Sequence, residues 1–86
     1  MNHKKTILLI EDDQFLASIY EKKLTEAGFD VEIAYDGERG LDRARETRPA
    51  CILLDLVLPK CDGFHVLEEL KKSPVTKEIP VFIHSN

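Results

Sequence analysis

Residues 51–63 read CILLDLVLPKCDG, and within them one carboxylate, Asp55, closes an otherwise apolar run. Ile52, Leu53 and Leu54 precede it without alternation, as expected of a strand covered on both faces. Pro59 and the Asp62-Gly63 pair then keep that strand from continuing. The expectation is therefore an aspartate at the carboxyl end of a central strand. In an open parallel sheet that rim is where ligands bind, so an acid there has a stronger functional claim than one on a solvated helix. On this stretch alone, a strand that merely ends in a polar residue is an equal reading.

Toward the N-terminus, Thr6–Ile10 is a second apolar, β-favouring run, and it ends in three acids, Glu11, Asp12 and Asp13. Asp13 is placed to cap a following helix whose apolar positions, Phe15, Leu16, Ile19, Tyr20, Leu24 and Ala27, recur at helical spacing. Gly28 suits the left-handed position just past that helix, with Phe29 placed to touch Leu24. Val31, Ile33 and Tyr35 alternate with Glu32 and Ala34, which predicts an edge strand. Asp36-Gly37 turns the chain into a second helix, about Glu38 to Thr47, with only Leu41 and Ala44 as its apolar stripe. Pro49 ends it before a third strand, Ala50–Asp55. A third helix, Phe64–Lys72, should turn Phe64, Leu67 and Leu70 inward; a loop over Val75–Ile79 follows, and Pro80 opens a fourth strand, Val81–Ser85.

Strand and helix alternate throughout, which implies parallel strands joined by right-handed crossovers. With the alternating strand at an edge and the apolar ones inside, the order is 2-1-3-4: a doubly wound α/β sheet of the flavodoxin and CheY kind. The 86 residues, 43% hydrophobic and 33% charged, form one small domain. A net charge of −4 argues against nonspecific nucleic-acid binding and offers no basic patch to a membrane surface. No apolar run approaches the roughly 18 residues of a membrane span, so the expected location is cytoplasmic. Cys51 and Cys61 are the two cysteines; a strand between them separates them by roughly 15–20 Å, so both are expected to be free thiols. His3, His65 and His84 are scattered and suggest no metal cluster.

The order 2-1-3-4 brings Glu11 and Asp12, after strand 1, next to Asp55, after strand 3. Carboxylates so close repel, and either raised pKa values or a hard, oxygen-seeking cation must relieve them. Magnesium suits such a site because it takes one or two carboxylates and keeps positions for water and phosphate oxygens. Ser85, closing strand 4, offers a hydroxyl on the other side of Asp55.

The runs ILLIEDD at 7–13, LLDLVLPKCDG at 53–63 and IPVFIHS at 79–85 together resemble the receiver domain of two-component response regulators. The resemblance extends over essentially the whole chain. It implies Asp55 as phosphoacceptor, Asp12 as a direct magnesium ligand, Glu11 as a water-mediated partner and the Val57 backbone carbonyl as a further ligand, with Ser85 as the switch hydroxyl. It also implies a sensor histidine kinase or phosphotransfer protein as partner, with signalling rather than enzymatic turnover as the role. An alternative reading, an aspartyl-phosphate phosphatase of the haloacid dehalogenase type, wants a second acid two residues after the nucleophile, where this chain has Val57.

A complete receiver adds a fourth helix, a fifth strand ending in a lysine, and a fifth helix. By this resemblance the chain is a truncated receiver, residues 1–86 being the N-terminal part of a single domain and impaired in switching. Lys60, in the loop after Asp55, does not replace the lysine. An unpaired strand edge would then drive self-association into a homo-oligomer. The competing expectation is a non-phosphorylated interaction fragment that associates through the same edge.

Overall fold

A computed structural model describes residues 5–58 and 63–84. Four strands, β1 (Thr6–Ile10), β2 (Asp30–Ala34), β3 (Cys51–Asp55) and β4 (Val81–His84), alternate with α1 (Gln14–Glu26), α2 (Gly37–Thr47) and α3 (Gly63–Lys72). The sheet order is β2-β1-β3-β4 and every pairing is parallel. The chain moves one way from β1 to β2 and the other way from β2 to β3. With right-handed crossovers that reversal puts α1 on one face and α2 and α3 on the other. It also opens a crevice between the carboxyl ends of β1 and β3.

The core lies on the α2–α3 face. Leu8, Ile10, Ile52 and Leu54 from the sheet meet Leu41 and Ala44 of α2, Val66 and Leu70 of α3, and Leu58 and Ile79 from the loops. The opposite face is covered by α1 alone, which buries Ala17 fully and Leu16, Ile19, Tyr20 and Leu24 in part.

Local chemistry sets the helix ends where the sequence placed them. Asp13 caps α1 by accepting from the Leu16 N–H at 3.1 Å. At the other end Gly28, at φ +100°, lets its own N–H reach Thr25 O and the Phe29 N–H reach Leu24 O, at 3.0 and 3.1 Å. Asp36 does more than turn the chain: it caps α2 through the Arg39 N–H at 2.8 Å, so the helix begins at Gly37.

Three side-chain expectations are corrected. In α3 Phe64 is 63% exposed while Val66 and Leu70 are fully buried. The helix starts at Gly63, and positions 63, 66 and 70 share its inner face. In α1 Phe15 is 74% exposed, because it lies in the first turn, off the stripe that meets the sheet. In β2 the buried residue is Ala34 and Tyr35 falls outside the strand, 44% exposed. Helices cover both faces of this edge strand: Ala34 joins the α2-side core, and Glu32 on the same face pairs with Arg43 of α2. Strand β4 is described to His84; the expectations at Ser85, Lys60 and Cys61 fall outside the described residues. Cys51 is a half-buried free thiol, pushed above its usual pKa by burial.

Gly63 fixes how closely the chain returns to β3. A Cβ there would lie 2.4 Å from Leu56 Cα and 2.6 Å from the Asp55 carbonyl oxygen, both backbone atoms that cannot swing aside. At Gly40 the clash is with the Ile10 side chain, at 2.5 Å. Gly63→Ala is therefore expected to cost about 3 kcal/mol, a fall in Tm of the order of 10 °C or more. Gly40→Ala, against a side chain that can change rotamer, should cost less. Thermal melts of the two variants side by side check the ranking, and equal losses would contradict it.

Candidate functional site

Strand β1 hands directly into the acid run: the Glu11 N–H still bonds across to Ala34 O at 3.0 Å, so Glu11 leaves the sheet at a fixed place. The register pairs Ile10 with Leu54, which sets the acids after β1 beside Asp55 at the end of β3. Glu11, Asp12 and Asp55 bring one carboxylate oxygen each within 4.8 Å of one another. With Asp13 and Val57 they line a cleft of about 200 Å³. Glu11 is 1% exposed and Asp55 4%, whereas Asp12 is half-buried. The convergence expected from the sequence is present for all three acids and for Val57.

Asp55 and Glu11 are each partly satisfied by backbone. The Val57 N–H donates to Asp55 Oδ1 at 3.0 Å, which fixes the rotation of that carboxylate. The Asp13 N–H donates to Glu11 Oε2 at 3.1 Å. Glu11 Oε1, by contrast, is buried without a hydrogen-bond partner among the described residues. Burial is the main reason that the Glu11 pKa is pushed up to about 7, with the charges of Asp55 and Asp12 adding to it and the Asp13 N–H opposing it. An all-oxygen, acid-only donor set with an orphaned buried oxygen is what a hard divalent cation satisfies.

Two other features compete less well. His65, Glu68 and Glu69 on α3 also bring ligand atoms within 4.8 Å, but His65 and Glu68 are exposed and both glutamates pair with Lys72, at 3.8 and 3.7 Å. A larger hollow, about 360 Å³, runs between β2 and α2 past Tyr35. Its arginines are already engaged, Arg43 with Glu32 and Glu46 and Arg39 with Asp36. The unrelieved charge lies in the smaller cleft.

The profile described as the response regulator receiver domain matches residues 7–86. The chain belongs to this family. Among curated relatives, it is 42% identical over 77 residues to the DNA-binding dual master transcriptional regulator RpaA of Synechocystis sp., covering 90% of this chain and 32% of that protein. Among solved structures, the N-terminal domain of a response regulator receiver protein from Methanoculleus marisnigri JR1 superposes with a TM-score of 0.89 at 32% identity, covering 92% of this chain and 64% of that one. The receiver domain of a sensor histidine kinase from Pseudomonas aeruginosa PAO1, described with magnesium coordinated in its active-site cleft, gives 0.90 at 27% identity, covering 94% of this chain and 66% of that one. The receiver chain thus spans about a third of the first curated relatives and about two thirds of these structures. Receivers of this family are signalling modules of two-component systems. No helix of the described residues is long and apolar enough to cross a membrane.

His84 is the residue that sequence reasoning underrated. In the sequence it is one of three scattered histidines; in the fold its Nε2 lies 3.7 Å from Glu11 Oε1 and its ring centroid 5.0 Å from that of Tyr20. Its one sequence signal is a polar ring at the end of the apolar run 81–83.

The raised Glu11 pKa has a defined sign in stability. The folded chain holds this proton more tightly than the unfolded chain, so its contribution is full below about pH 4.5 and is lost as pH rises through about 7. In metal-free buffer, warming the protein at a series of pH values from about 5 to about 8 should show up to about 3 kcal/mol of stability lost through this group. Glu11→Gln removes the titration, and its Tm should fall less over that range. Parallel curves for the two proteins would show that Glu11 is not the titrating group.

Proposed function

We propose that Asp55 is the phosphoacceptor of this receiver, taking a phosphoryl group from a sensor histidine kinase or phosphotransfer protein in the cytoplasm. The observation that carries the reading is the convergence of Glu11, Asp12 and Asp55 in one cleft beside Val57. Asp12, Asp55 and the Val57 carbonyl would hold Mg2+ directly, and Glu11 through water. When bound, the ion supplies the positive charge that an incoming phosphoryl group needs in a cleft of carboxylates.

The chain's own part is positioning. The Val57 N–H holds Asp55 Oδ1, which leaves Oδ2 as the attacking oxygen. An O–P bond forms at Oδ2 as the donor's P–N bond breaks, and the bonding pair leaves with the donor imidazole nitrogen. No proton has to be removed from an ionised carboxylate, so the site needs no general base. Ser85, which follows His84 in the chain, is proposed as the hydroxyl that reports the phosphoryl group to the surface. Turnover is confined to this self-catalysed transfer and to hydrolysis, in which water attacks phosphorus, the bond to Oδ2 breaks and inorganic phosphate leaves.

Phosphoramidate or a cognate phosphohistidine donor in Mg2+ tests the assignment by mass. Asp55→Asn is expected to take up no acid-stable, alkali-labile phosphate, and Asp12→Ala to need at least about tenfold more Mg2+. Phosphorylation of Asp55→Asn at the parent's level would refute Asp55 as the acceptor.

A second reading, a fragment that associates without phosphotransfer, draws on β4, where Phe82 and Ile83, on opposite faces of an edge strand, are 58% and 46% exposed. Burying what remains exposed of the two is worth about 1.5–3 kcal/mol, which would favour pairing between copies of the chain. Sedimentation at several concentrations should show mass above 9.8 kDa, reduced by Phe82→Lys. A compact monomer at every concentration would dismiss it.

A further inference from the structure

His84 stands at the end of β4, paired in register with Asp55, and its side chain is 13% exposed. It turns toward α1, where its ring meets Tyr20 at 54°. Neither Nδ1 nor Nε2 has a hydrogen-bond partner among the described residues, and the facing atom, Glu11 Oε1 at 3.7 Å, has none either. Two buried polar groups left unpaired side by side are costly, and an aliphatic side chain would fill the same space beside Tyr20 without that cost. The imidazole is therefore poorly explained as packing alone.

Glu11 is held asymmetrically. Its Oε2 is fixed by the Asp13 N–H at 3.1 Å, on the β1–α1 turn, while Oε1 has no hydrogen-bond partner among the described residues and lies 3.7 Å from the imidazole Nε2. A carboxylate anchored at one oxygen can still twist about its last torsion, and a second contact at Oε1 would fix that twist. We propose that His84 is a positioning residue, whose Nε2–H closes onto Glu11 Oε1 and holds the Glu11 carboxylate in the orientation that faces the cation cleft. The pattern is that of an outer partner orienting a metal-site group, here reached across β3 from the neighbouring strand. This inference rests on the cation-site reading above and adds to it a residue outside the acid cluster.

The test uses the whole 86-residue chain, with Mg2+ titrated by calorimetry into the parent, His84→Leu and His84→Gln. His84→Leu should bind Mg2+ about tenfold more weakly, and His84→Gln, which retains an N–H donor, should stay within about threefold of the parent. Equal affinity for parent and His84→Leu overturns the positioning role, as does a His84→Gln protein no better than His84→Leu. A second measurement needs neither metal nor a folded His84 variant: nitrogen-detected spectra of the parent's imidazoles. The proposal expects one His84 tautomer with a protected Nε2–H that becomes freely exchanging in Glu11→Ala, and an unprotected, mixed tautomer in the parent overturns it. Should the parent bind no Mg2+ at all, the cation-site reading fails, and the imidazole spectrum still decides whether His84 holds Glu11.

Discussion

Three carboxylates held within 4.8 Å of one another are an electrostatic liability, and the rest of the structure is arranged to tolerate it. The sheet order brings them together, because only the adjacency of β1 and β3 makes residues more than forty positions apart in the chain share a rim. Asp12 remains half-open to water. The other two are buried, and each receives one backbone N–H, from Asp13 and from Val57, which offsets part of the lost hydration. What is left over falls on Glu11, whose second oxygen has no hydrogen-bond partner among the described residues and whose pKa rises to about 7. Such a cluster costs stability, and a hard divalent cation would offset that cost.

The geometry of the cleft depends on backbone more than on side chains. Val57 contributes through its N–H while its own side chain is 69% exposed, and Gly63 contributes by having no side chain at all. The Gly63 N–H reaches Leu56 O at 3.2 Å, which ties the start of α3 to the residue that follows β3. Leu58 then drops into the core beside Leu54 and Val66, so the segment just after Asp55 is anchored by packing.

Much of this was readable in the sequence, and the reason is locality. The capping role of Asp13 and the left-handed Gly28 depend on neighbours within a turn, and both stand where the residue pattern put them. The sheet order followed from which strands were apolar throughout, and with it the meeting of Glu11, Asp12 and Asp55. In α3 Leu70 is buried and Leu67 packs against the core as expected, whereas Phe64 was misplaced, because apolar spacing alone fits 64-67-70 as well as 63-66-70. The choice is made by Gly63's approach to the β3 backbone, a contact invisible in helical periodicity. His84 was missed for a related reason. Its partners, Glu11 and Tyr20, come from β1 and α1, and nothing in the run 81–84 announces them.

The uneven burial of the two sheet faces bears on how a change at the cleft could travel. On the α2–α3 face the sheet is packed by fully buried side chains, and such packing resists small displacements. On the α1 face Leu16, Ile19, Tyr20 and Leu24 are only partly covered, so α1 and the end of β4 are the less constrained partners. The Tyr20–His84–Glu11 chain lies on that softer side and ends in the cleft. Charge added at Asp55 would alter the field at Glu11 first, since Asp55 is already among the charges that raise its pKa. From Glu11 the contacts lead through His84 to Tyr20 of α1. Dense packing on one face of the sheet and looser packing on the other therefore make the α1 side the one on which a change at the cleft meets less resistance.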